Sequence, residues 1–184
     1  MTRAGAAAVV LALALLAGCG GSSEPNGVHS PDEWAAGVCG AVRSWASDLN
    51  ARSRVLNRTI RGVGSFEEAR DRLGEYLDAT IDRTDTMLGD VRENGRPDVE
   101  GGAGVAREFE TSLEKLRPAF EDARAQADAL PEDLPGFRAG VKELSDSLAT
   151  AESQVGADLA RIATGSEHPE LARAFAAEPA CNPQ

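Results

Sequence analysis

Apolar residues recur at steps of three and four along most of the chain, the period of an amphipathic helix with one buried face. Ser30-Pro31-Asp32-Glu33 opens the first such stretch as a capping box with proline at the first helical position. Trp34, Val38, Val42, Trp45, Leu49, Leu56, Ile60 and Val63 form its seam, and Gly62-Val63-Gly64 ends it. Ser65-Phe66-Glu67-Glu68 reads as a second capping box. A second seam runs through Phe66, Leu73, Leu77, Ile81, Leu88 and Val91 and stops at Asn94-Gly95-Arg96-Pro97.

Asp98 is the expected cap of the next helix, although Gly101, Gly102 and Gly104 weaken its start. The third seam carries Ala106, Phe109, Leu113, Leu116, Phe120, Ala123 and Leu130. Pro118 lies inside it and is expected to bend it or split it in two, because proline deletes the bond to the Glu114 carbonyl. Leu130 to Gly136 reads as a turn, and a fourth seam follows through Phe137, Val141, Leu144, Leu148, Val155, Leu159 and Ile162 to Gly165. A short further helix is predicted over Pro169–Ala177. Four segments of about 30 residues with short turns predict an all-α, up-down-up-down four-helix bundle with a short C-terminal helix or tail. Three-four spacing implies near-parallel packing, at a crossing angle of about 20°.

The first residues follow a different pattern. Arg3 supplies a short basic start, and Ala6 to Leu16 is an apolar run about half as long as a membrane-spanning helix. That is the core of a secretion signal. The run ends in Leu16-Ala17-Gly18-Cys19, which resembles the lipobox of bacterial lipoproteins. Small residues at 17 and 18 admit the signal peptidase, and the Cys19 thiol receives the acylated glyceryl group. The plainer alternative is an ordinary secretory signal with Cys19 left over. The expected organisation is therefore a signal peptide at 1–18, a flexible tether at 19–30, and a helical bundle domain at 31–184. The expected location is the extracytoplasmic face of the cell membrane, held there by lipid on Cys19.

Cys39 and Cys181 remain after Cys19 is assigned. In an oxidising exterior an even pair normally forms a disulfide. A bridge closing about 140 residues contributes roughly 5 kcal/mol in the chain-entropy model. A reactive or metal-binding pair would want a neighbouring histidine, which neither cysteine has. An up-down-up-down bundle returns the end of its fourth helix to the start of its first, which also brings Cys181 towards Cys39.

Composition narrows the function classes. The formal charge is −11, so nucleic acid phosphates repel the chain and nucleic-acid binding is set aside. Only His29 and His168 are histidines, and neither belongs to a paired Glu-x-x-His motif of the di-iron type. There is no Gly-x-Ser-x-Gly elbow. No catalytic residue, metal ligand set or cofactor is assigned, and a non-enzymatic protein is expected.

Three further features carry weaker alternatives. Arg54, Arg58 and Arg61 point about 160° from the first seam, and Glu75, Asp78, Asp82 and Asp85 about 145° from the second. Both stripes read as solvated outer faces rather than as an anion-docking patch and a cation site. Trp34 and Trp45 share a face with Val38, Val42 and Leu49 and read as core rather than as a binding hot spot. Many seam positions are Ala, Thr or Gly, which leaves either closely packed small helices or an apolar cavity between them.

The lipobox, the polar tether, a first helix bearing Trp34-Ala-Ala-Gly-Val-Cys39-Gly-Ala-Val-Arg-Ser-Trp45 and a cysteine near the C-terminus resemble the small lipoproteins of actinobacteria. That resemblance carries over the role of Cys19 and no other functional residue. The expected function is a lipid-anchored cell-envelope protein whose bundle binds an envelope protein partner or acts as a structural spacer. The alternative is a carrier or sensor for a small apolar ligand held between the helices.

Overall fold

The computed structural model describes residues 27–165 and 167–181. The signal, Cys19 and the tether up to residue 26 lie outside the described residues. The rest is all-α but for one short strand pair: β1 (Val28–His29), α1 (Pro31–Thr59), α2 (Phe66–Glu93), β2 (Arg96–Pro97), α3 (Gly102–Glu114), α4 (Leu116–Asp128), α5 (Leu134–Thr164) and α6 (Pro169–Ala177). No described helix is long and apolar enough to cross a membrane.

The first capping box is reciprocal: Ser30 Oγ accepts from the Glu33 amide at 3.3 Å, and Glu33 Oε2 accepts from the Ser30 amide at 3.0 Å. Ser65 caps α2 in the same way, accepting from the Glu68 amide at 3.1 Å. Here the Glu68 carboxylate takes the Gly64 amide instead, so this box is shifted by one residue.

The structure corrects two expected boundaries and decides between a bend and a split in the third segment. Asp98 does not cap α3; its amide donates to the His29 carbonyl at 2.7 Å, and Gly101 is the cap residue, with φ 69°. Glycine tolerates that left-handed conformation, so the chain turns into α3 without a capping side chain. The fourth long helix begins at Leu134, where the sequence pattern suggests a turn, because Asp133 accepts from the Gly136 amide and Pro135 fits the first turn. The third segment is two helices joined at Lys115, which keeps right-handed helical angles. Pro118 thereby sits in the first turn of α4, where its missing N–H removes least.

Val28 and His29, read as the end of the tether, pair in parallel with Arg96 and Pro97. The Trp34 indole N–H donates to the Gly95 carbonyl at 3.2 Å, and the Asn94 amide donates to the Trp34 carbonyl at 3.0 Å. The start of α1 is thus stitched to the end of α2.

In the bundle α1 packs on α2, α2 on α4, α4 on α5, and α3 on α5. The core holds Trp34, Val38, Leu73, Leu77, Leu88, Phe109, Leu113, Phe120 and Leu144. Trp34 meets Phe109 and Phe175 edge-on, with ring centroids 5.5 and 5.8 Å away. The edge that would close the ring, between α1 and α5, is different. Those two helices barely approach one another, and α6 bridges them at one end only. There Cys39 and Cys181 form a disulfide with Cα atoms 5.1 Å apart.

Candidate functional site

The unclosed edge is a cleft. On α1 it is walled by Cys39, Val42, Ala46, Asn50 and Ser53, and on α5 by Glu152, Gly156, Leu159 and Ala163. Both rows follow the three-four spacing of a single helix face. At 1.5 Å per residue, positions 39 to 53 span about 21 Å. The cleft comprises a space of about 520 Å³ beside the disulfide and one of about 380 Å³ towards Tyr76. Val42, Ala46, Asn50, Gly156 and Leu159 line both, so the two spaces adjoin.

Its depth follows from residue size. Phe109, Leu116, Phe175 and Leu49 form a buried floor, with Val42, Trp45 and Leu159 half-buried above them. Small side chains at Ala46, Ser47, Gly156 and Ala160 leave the slot open to the surface. A Cβ built on Gly156 would meet no atom within 4 Å, so its bareness answers no packing demand from a neighbouring element. Glycine inside a helix costs about 1 kcal/mol relative to alanine.

Polarity changes along the cleft. The disulfide end is apolar apart from Arg43, whose guanidinium donates to the Pro179 carbonyl at 3.3 Å. At the other end Tyr76, Glu152, Asn50 and Ser53 gather. Loss of water around Glu152 raises its carboxyl above the ordinary glutamate value. Burial pushes the Tyr76 phenol up as well, and the Glu152 charge adds to that rise. Among the described residues Glu152 has no ion-pair partner, whereas Glu110, Asp85 and Asp78 each pair with an arginine of a neighbouring helix.

The residues singled out from sequence are distributed as follows. Trp34 is core, 1% exposed. Trp45 is only half-buried: its indole N–H donates to Thr84 Oγ1 at 3.1 Å while its ring lines the cleft. Arg54, Arg58 and Arg61 are exposed, as are Glu75, Asp78, Asp82 and Asp85. The acidic stripe is not bare, since Arg117 holds Asp85 at 2.8 Å and Arg124 holds Asp78 at 3.0 Å, tying α4 to α2. His29 lies in β1 and His168 precedes α6, 4.0 Å from Glu170. No group of three or more His, Cys, Asp or Glu is placed to hold a metal ion among the described residues.

Sequence reasoning missed Tyr76, Glu152 and Gly156. The one signal available was the glycine inside an otherwise regular helix, next to the seam residue Val155.

A second, shallower hollow of about 660 Å³ lies at the far end of the bundle, over Ile60, Val63, Phe66, Leu134 and Phe137. The Phe66 and Phe137 rings lie 5.4 Å apart, and Leu134 is 51% exposed.

Fold and cleft together define a disulfide-linked all-α bundle with one unsealed apolar edge. Comparison with protein-family models, with curated proteins and with solved structures finds no match to the chain.

Proposed function

We propose that this is a lipid-anchored protein of the extracytoplasmic membrane face, acting without catalysis as a carrier or sensor for a small apolar ligand held between α1 and α5. The observation that carries this reading is the pair of adjoining spaces along this edge, the larger of which, about 520 Å³, falls in the size range of small-molecule sites. A structural spacer has no need of such a slot, since leaving apolar walls unpacked forgoes burial of about 25 cal/mol per Å². The anchor rests on Leu16-Ala17-Gly18-Cys19 and its resemblance to the lipobox of actinobacterial lipoproteins.

Each half has its own test. Growth with labelled palmitate labels the wild-type chain and leaves Cys19→Ala unlabelled; equal labelling of both removes the anchor. Incubation of the purified protein with a lipid extract, followed by mass spectrometry, recovers an apolar guest; recovery of none removes the carrier.

The hollow at the far tip supports a second reading, in which an envelope protein partner docks there. The 29 residues of α1 set that tip about 43 Å from the start of the helix at Pro31. Pull-down from native membranes with wild type and Leu134→Glu distinguishes this: a partner lost on substitution supports tip docking.

A further inference from the structure

We infer that the cleft takes a single-chain amphiphile lying along α1, its hydrocarbon tail at the disulfide end and a cationic head beside Glu152. The inference rests on the carrier reading and adds the chemistry and direction of the guest.

Shape decides between a slender chain and a partner helix. A docked helix, about 10 Å across, meets apolar side chains that project from a groove's rims. Here the rims carry Arg43, Ser47, Asn50, Ala160 and Glu152, all exposed, while the apolar surface is recessed below them. A hydrocarbon chain passes between such rims, and the about 21 Å available matches an extended tail of some length.

Direction follows from what lines each end. The disulfide end offers Val42, Ala163, Phe109 and Phe175 and no acid, and its one cation, Arg43, is engaged with the Pro179 carbonyl. The opposite end offers Tyr76, Ser53 and the carboxylate of Glu152. Glu152 is exposed at the rim, but its carboxylate still gives up part of its water beside Trp45, Leu116 and Leu159, with no ion-pair partner among the described residues. An ammonium head offsets that loss, whereas an anionic head meets a like charge in a chain already at −11.

The test titrates the full chain bearing Cys19→Ser, which removes the acyl anchor as a competing guest, with dodecylammonium and with dodecanoate. Both are kept below their micelle concentrations at physiological salt, and heat of binding is read. The expected result is one site with dodecylammonium about tenfold tighter, the scale of one charge-assisted hydrogen bond. Gly156→Leu places a side chain in the open slot and abolishes binding of both probes, its helicity and melting unchanged or improved. Glu152→Gln keeps the site but brings the two affinities together.

Equal affinities in the wild type, with loss of both in Gly156→Leu, would leave the carrier reading standing and overturn the cationic head. A preference for the amine that survives Glu152→Gln would likewise overturn it, assigning the preference to net charge. No binding by either probe, or binding indifferent to Gly156→Leu, would remove the cleft as the site.

Discussion

Trp34 shows how one side chain can join three parts of this fold. Its ring fills the space between α1, α3 and α6, and its N–H satisfies the Gly95 carbonyl at the end of α2. Replacement by alanine removes both, and the expected loss is about 3–5 kcal/mol on chemical denaturation. Glu152 works in the opposite direction. Its carboxyl titrates above the ordinary glutamate value because it gives up part of its water at the cleft rim, so the folded state favours the protonated acid. Its contribution to stability is complete below the unfolded value and is lost as pH rises through the folded one. Glu152→Gln is therefore expected to melt higher than wild type near pH 7, with the difference vanishing near pH 4. A difference independent of pH would mean the charge is not what the cleft opposes. Neither the load on Glu152 nor the wet side of Trp45 was legible in sequence. Periodicity assigns a residue to a helix face, while its water content depends on how far the facing helix stands off.

At the scale of elements, the sequence was most readable where local chemistry decides. Ser30 and Ser65 announce the starts of α1 and α2 because a side-chain oxygen satisfies a free backbone amide there. Ser65→Ala is expected to cost about 1 kcal/mol, measured as a shifted denaturation midpoint. The start of α3 was misread for the converse reason. Asp98 has the right chemistry for a cap, but its amide is engaged by His29 in the strand pair, and Gly101 makes the turn. The next residue is fixed by proximity: a Cβ on Gly102 would lie 2.1 Å from the Pro97 carbonyl oxygen. Gly102→Ala is accordingly expected to destabilise by about 1–3 kcal/mol, with loss of the β1–β2 pairing seen as faster amide exchange at Arg96 and Asp98. The break at Lys115 follows the same logic, since Pro118 forbids a continuous ladder but permits a fresh first turn.

For the whole molecule, the four-segment path, chain direction and the Cys39–Cys181 pairing could all be argued from sequence, because a four-segment antiparallel path returns to its origin. The unsealed edge could not. Sequence offered small residues at the seams, which suit close packing and an open slot equally well. The outcome depends on α6 and the disulfide propping one end while α3 and α4 fill the floor. Breaking the disulfide releases a loop closure spanning 142 residues. Joint Cys39→Ser and Cys181→Ser substitution is expected to cost about 2–5 kcal/mol and to weaken retention of any guest at that end.

The claim that the α1–α5 edge is kept open for an apolar guest is tested most directly by native mass spectrometry. Wild-type and Gly156→Leu protein, purified from the cells that make them, would be compared under identical conditions. A non-covalent hydrocarbon-bearing adduct on the wild type that is missing from Gly156→Leu is the predicted result. Two bare proteins, or the same adduct on both, would contradict it.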